Sequence, residues 1–344
     1  MILNESNNGL IKIINNKVFK SSILDTDNND SIFYEYLVSY YIKKSIINHV
    51  PFNIFIKANK LYFFETLEDK HKYFNLNNKK VIKPEELSNK QILDLDNLKY
   101  FCEYKDYLLL ELEYIKNIGN IEDFIRSKYK NLTFVNDIII ILFMIYSTLN
   151  YLNNKYTHYD LGSYNVLIIE DPTIKTYKYY DKITNKTYIF KTKYRPKIID
   201  YATSFISNIN PIMKDKLCIT KECTFNKNNK YCGDDGGIQF YNKTGEFDPK
   251  LFYRNSFYYS CSHDLYLVSM IKPILLDKLE KLEKLDKLEK LENNNSDLAL
   301  KLKHILKKLF YKTKHGSPPI KYINNKIGNI MQMHEELLKL IQML

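Results

Sequence analysis

The apolar positions of this chain recur with two different periods, and the change of period divides it. In GLIKIINNKVFK, residues 9–20, two short apolar segments flank Asn15-Asn16. Asparagine tolerates the left-handed backbone of a tight turn, so this pattern predicts a β-hairpin. In FYEYLVSYYIKKSII, residues 33–47, apolar side chains return at helical spacing, with Asp30 or Ser31 placed to cap the helix. NIFIKANKLYFFE (53–65) and YLLLELEYI (107–115) read as strands, and the polar, Lys- and Asn-rich residues 66–100 between them as a solvated insertion.

Beyond residue 118 helices take over. GNIEDFIRSK starts a short helix, and VNDIIIILFMIYSTLNYLNNK (135–155) is apolar on most sides, which predicts a helix buried in a larger unit. Strand-like NVLIIE (165–170) follows, then a polar excursion over 175–194, strand-like KIID (197–200), an irregular stretch from 205 to 258, and helices to the end. In DKLEKLEKLDKLEKLE, 277–292, leucine recurs every third residue. That period drifts by about 60° per step around an α-helix, so it makes no coiled-coil seam. A solvated repeat helix is expected, laced by the i,i+4 pairs Glu280–Lys284, Glu283–Lys287 and Asp286–Lys290. The apolar run Ile138–Tyr151 is broken by Ser147, Thr148 and Asn150, and no leader pattern opens the chain, so a soluble protein without a membrane partner is expected.

Composition adds less. A length of 344 residues, 45% of them hydrophobic and 14% aromatic, suits one two-lobed unit or two domains with a large core. The formal charge of +11 comes from lysines scattered through an Asn-, Ile- and Tyr-rich chain, so no specific nucleic-acid partner is read from it. Five cysteines without a framework spacing point to reduced thiols and a cytoplasmic setting. Cys218, Cys223 and Cys232, with Cys261 or His263, are too irregularly spaced to predict a zinc site.

Candidate chemistry gathers at the junction of the long helix and the next strand. THYDLGSYNVLII, 157–169, contains His158, Asp160 and Asn165 as H-x-D-x-x-x-x-N, and RPKIIDYATSF, 195–205, ends an apolar run on Asp200. Moving a phosphoryl group from ATP calls for a cation on the phosphates, a carboxylate to hold that cation, oxygen ligands for Mg²⁺, and a carboxylate beside the acceptor hydroxyl. Lys20, Glu35, Asn165 with Asp200, and Asp160 can fill these places in chain order. Of the three lysines on the opening hairpin, strand alternation favours Lys20 over Lys12 and Lys17 as the inward one.

These residues resemble the protein kinase superfamily over most of the chain, with a texture most like the divergent protein kinases of large DNA viruses. Val18-Phe19-Lys20 is similar to the strand-three lysine motif and Glu35 to the helix-C glutamate; HYDLGSYN resembles the catalytic loop, and Asp200-Tyr201-Ala202 stands where D-F-G does. EYIKNIGNIEDFI resembles the hinge and the helix after it, and SHDLYLVSM the segment whose aspartate, here Asp264, braces the catalytic loop. The resemblance implies an α+β, two-lobed fold: a small β-rich lobe over 1–112 with an insertion near 66–100, and a larger helical lobe over 113–344 with the leucine repeat inserted near 277–296. It implies Ser/Thr-type protein kinase activity, with Asp160, Lys20 and Glu35 catalytic. ATP would lie against Asn4, Ser6, Gly9, Ile11, Lys20, Leu112, Glu113 and Ile115, and Mg²⁺ on Asn165 and Asp200. The partner would be a protein substrate and the location cytoplasmic, in a host cell or virion if viral. His158 is expected to be structural, bonded to backbone near Asp200.

The family pattern is incomplete. Of the glycine-rich loop, falling on Asn4, Ser6, Gly9 and Ile11, only the last glycine is kept; Tyr159 replaces the arginine of H-R-D; and Gly162 stands where Ser/Thr kinases carry a lysine. Two further readings follow: a small-molecule phosphotransferase of the aminoglycoside or choline kinase type, and a pseudokinase binding module.

Overall fold

The computed structural model describes residues 2–6, 9–21, 32–63, 80–82, 108–127, 133–207, 259–289, 294–309 and 327–344. Six strands form one antiparallel sheet of order β1-β2-β3-β6-β4-β5, from β1 (Ile2–Ser6), β2 (Gly9–Ile14), β3 (Lys17–Ser21), β4 (Ala58–Phe63), β5 (Lys80–Ile82) and β6 (Leu108–Glu113). The β2–β3 hairpin turns on Asn15 and Asn16, with φ of 48° and 57°, the left-handed pair that a two-residue turn requires. Within the stretch expected to be a solvated insertion, Lys80–Ile82 pairs with β4 as the sheet edge; the rest of 66–100 lies outside the described residues.

The two faces of this sheet do different work. Phe19, Tyr62 and Leu109 form a small cluster on one side, where the Glu111 carboxylate also accepts from Lys17 and Tyr62. Residues one step along β3 point the other way. Lys20 stands opposite Ile11 on β2 and Leu110 on β6, and Val18 opposite Leu112, so these side chains share the second face. Helix α1 (Ile32–Tyr41) packs there through buried Leu37 and Val38, and continues into a π turn over Ile42–Ile46.

The remaining chain is built around α3 (Thr133–Tyr151), preceded by the short α2 (Ile121–Arg126), whose N-terminus is closed by a capping box between Asn120 and Asp123. The 18 residues Phe134–Tyr151 are long and apolar enough to cross a bilayer, contrary to the sequence expectation, and the fold uses them as a core helix with 78% of that window buried. After α3 come β7 (Tyr156–Thr157), a 3₁₀ turn (Ser163–Asn165), β8 (Val166–Asp181), β9 (Lys186–Ile198) and β10 (Phe205–Ile206), with β7 paired to β10 and β8 to β9.

The polar excursion over 175–194 is the outer half of the β8–β9 hairpin. Its cross-strand pairs Tyr177–Phe190 and Tyr179–Tyr188 lie on one face, and Tyr177, Tyr179 and Phe190 meet Phe52, while Tyr179 and Phe190 also meet Phe143 of α3. The lysines and threonines between them conceal this period of two in the sequence.

Among the described residues three more helices follow: α4 (Tyr266–Glu289), α5 (Asn294–Lys308) and α6 (Ile330–Ile341). The leucine repeat begins inside α4, and its first part is not a solvated appendage. Leu275, Leu279 and Leu282 are buried in the core, because 275, 279 and 282 are spaced i, i+4, i+7 and fall on one stripe despite the period of three that follows. Glu283 pairs with Lys303 of α5 at 2.8 Å.

Candidate active site

Lys20, Glu35 and Asp200 meet although 180 residues separate the first from the last. The Lys20 ammonium lies 2.9 Å from Glu35 Oε2 and 3.1 Å from Asp200 Oδ1. Lys20 and Glu35 are both buried, and Asp200 is partly open. A buried charge without a partner is expensive, so each member of this group offsets the burial of the others. Lys17 is taken by Glu111, which leaves Lys20 as the inward lysine of β3, as alternation predicts.

The segment carrying Asp160 is fixed from below. Asp264, on the 3₁₀ turn His263–Leu265 that leads into α4, accepts from the backbone N–H of His158 at 2.8 Å and of Tyr159 at 3.0 Å. Burial pushes its carboxyl up to about 7, against the pull of those two N–H donors. Tyr159 has φ of 64° and lies buried against the His263 ring at 4.8 Å. His158 Nε2 bonds the Ile199 carbonyl at 2.9 Å, the structural role expected of it.

Asp160 and Asn165 close the loop. The Asn165 amide donates to the Asp160 carbonyl at 2.8 Å and to Oδ2 at 3.2 Å, and Tyr164 donates its phenol to Oδ1 at 2.9 Å. The Asn165 carbonyl accepts from the Ile199 N–H at 3.0 Å, tying this residue to the one before Asp200. Asp200 itself has φ of 65°, a left-handed conformation that aims its carboxylate back at Lys20.

Sequence reasoning left Tyr201 without a role. Its hydroxyl accepts from the Ile56 N–H at 2.7 Å and has the Ile198 and Ile56 carbonyls at 2.7 and 3.0 Å, joining the end of β9 to the segment before β4. Tyr34 of α1 donates to the Ser204 carbonyl at 2.6 Å, so the helix bearing Glu35 is bonded to the segment just after Asp200. No local pattern could have revealed partners 145 and 170 residues away. Lys197, also unassigned, reaches the Phe55 carbonyl at 2.8 Å, and burial lowers its ammonium to about 8.

The other expected residues lie on or beside the same sheet. Ile11 stands opposite Lys20, Asn4 opposite Ile11, and Ser6 opposite Gly9 at the β1–β2 turn. Leu112 is buried at the end of β6; Glu113 exchanges two bonds with the Lys57 backbone, one through its own N–H at 2.9 Å and one through Oε1 at 3.0 Å; and Ile115 lies just beyond the strand. Cys218, Cys223 and Cys232 lie outside the described residues. Among the described residues no group of three or more His, Cys, Asp or Glu side chains is arranged to hold a metal ion by itself. The carboxylate of Asp200 and the amide oxygen of Asn165 are a hard donor pair of the kind that binds Mg²⁺ together with phosphate oxygens.

No family model matches the chain, and no curated protein matches it. Among solved structures, a Plasmodium kinase domain aligns with 98% of this chain and 84% of its own length, at 14% identity and a TM-score of 0.29.

Proposed function

We propose that this protein is an ATP-dependent kinase, two-lobed, that transfers the γ-phosphoryl group of Mg-ATP to a hydroxyl, with Ser or Thr of a protein as the acceptor class. The observation that carries this reading is the Lys20 ammonium held between Glu35 at 2.9 Å and Asp200 at 3.1 Å, with Asp160 and Asn165 joined to Asp200 through the Ile199 N–H. In this reading the six-stranded sheet and α1 form the small lobe. The second face of the sheet, with Ile11, Val18, Ala58, Leu110 and Leu112, receives the nucleotide base, and Glu113 and Ile115 border it.

Lys20 presents its charge to the phosphates, and Glu35 keeps it from collapsing onto other acceptors. Asn165 and Asp200 would hold Mg²⁺, which when bound would offset charge on the phosphate oxygens. Asp160 accepts the proton of the attacking hydroxyl, and its orientation is set by the Asn165 amide. Catalysis then rests on positioning and on fixed charge. The β1–β2 hairpin with Asn4, Ser6 and Gly9 would cover the phosphates.

Thermal unfolding with and without Mg-ATP tests this. The parent chain should gain stability by mass action, and Asp200→Ala should lose most of that gain while unfolding cooperatively on its own. An equal Mg-ATP shift in the variant would remove Asp200 from the site.

A further inference from the structure

The geometry points to Tyr164 as an internal competitor for the acceptor hydroxyl, an inference that rests on the phosphotransfer reading above. Asn165 and Tyr164 both donate to the Asp160 carboxylate, from different surroundings. Asn165 is buried and holds both Oδ2 and the Asp160 carbonyl, which is enough to fix the orientation of the carboxylate. Tyr164 is 47% exposed and donates its phenol to Oδ1 at 2.9 Å. An acceptor hydroxyl arrives from solvent and must donate its proton to this same carboxylate. The Tyr164 phenol already makes that bond from the solvent side.

Gly162 makes the arrangement possible. A Cβ at this position would lie 2.6 Å from both Cε1 and Cζ of Tyr164, and 3.0 Å from its hydroxyl. The Gly162 φ of −83° is open to any residue, so the ring of Tyr164, and not backbone strain, is what a side chain at 162 would disturb. Glycine at 162 and tyrosine at 164 therefore act as one device: the missing side chain lets the ring fold back and reach Asp160. An exposed phenol on a charge-assisted hydrogen bond is displaced by a well-bound acceptor and withheld from a weak one, so the contact sets a threshold on which acceptors are phosphorylated.

The test is steady-state phosphotransfer from Mg-ATP to dephosphorylated casein and to small alcohols, using the full chain and four variants. Tyr164→Phe keeps the ring but loses the donor, and should raise acceptor kcat/KM about tenfold at unchanged KM for ATP, the ratio one such half-exposed bond gives. Gly162→Ala pushes the ring aside and should give a similar rise; the double variant should exceed neither single by more than about twofold, because both remove the same contact. Asp160→Asn should lower kcat by about 10²–10⁴. If Asp160→Asn abolishes transfer while Tyr164→Phe leaves kcat/KM unchanged or lower, the competitor role is overturned and the kinase reading stands. If no chain transfers phosphate, or Asp160→Asn stays within a few-fold of the parent, the kinase reading fails and this inference with it.

Discussion

Asp264 shows what one buried carboxyl can do to a loop that it does not belong to. It receives two consecutive backbone N–H groups, His158 and Tyr159, and so fixes the approach to Asp160 while remaining out of contact with solvent. Burial holds its folded-state value at about 7, above the ordinary carboxyl near 4. Between about pH 4 and 7 the folded chain keeps a proton that the unfolded chain has released, so this group's contribution to stability is full below that window and is lost as pH rises through it. Urea midpoints measured at intervals from pH 4 to 8 should fall over that range, and Asp264→Asn should flatten the fall. An unchanged slope in the variant would mean that other groups carry it. The asparagine can still accept one of the two N–H bonds, so the variant should fold and lose activity through misplacement of Asp160. Lys20 and Asp160 were legible from the sequence because alternation and motif spacing are local properties. Tyr201 was not, because its hydroxyl serves a backbone segment 145 residues away.

At the scale of elements, the leucine repeat of α4 is where the pattern was most misleading. A period of three spreads leucines around a helix, yet the helix enters the repeat already committed to a core stripe through Leu267, Ile271 and Leu275, and Leu279 and Leu282 continue it. Leu279→Ala or Leu282→Ala should each cost about 2–5 kcal/mol in chemical denaturation, the usual penalty for a buried leucine truncated to a cavity. Lys281→Ala, at an exposed position paired to Asp277 one turn away, should cost under about 0.5 kcal/mol. Equal small losses at all three positions would restore the view of a solvated repeat. The β8–β9 hairpin misled in the opposite sense. Its inner tyrosines were visible, but the lysines between them made the segment read as polar, and only the pairing of Tyr177 with Phe190 shows which face is core. The β2–β3 hairpin, α1, β6, α2 and α3 were legible because each has its own turn, cap or uninterrupted periodicity.

Across the whole molecule, distant segments are joined by a few polar contacts. Tyr201 bonds the segment before β4 to the end of β9, and Tyr34 bonds α1 to Ser204. Tyr201→Phe should remove the hydroxyl bonds to Ile56 and Ile198 and leave the Ile56 N–H with its 3.2 Å bond to the Ile198 carbonyl, at a cost of about 0.5–1.5 kcal/mol, and should also shrink the Mg-ATP thermal shift, since Asp200 is its neighbour. A full loss of stability with the ligand shift intact would separate the two effects and make Tyr201 a purely architectural residue. The left-handed backbone positions tell a different story about the chain as a whole. Asn15, Asn16, Asn154 and Asn185 take positive φ among the described residues, in a sequence with only 9 glycines. Asparagine adopts this conformation at little cost and supplies a side-chain amide that can bond the turn. Among the described residues these reversals do without the residue that most chains use there, so the sequence could drift toward asparagine at such corners, while Gly119, at φ of 117°, is a place where glycine is still required.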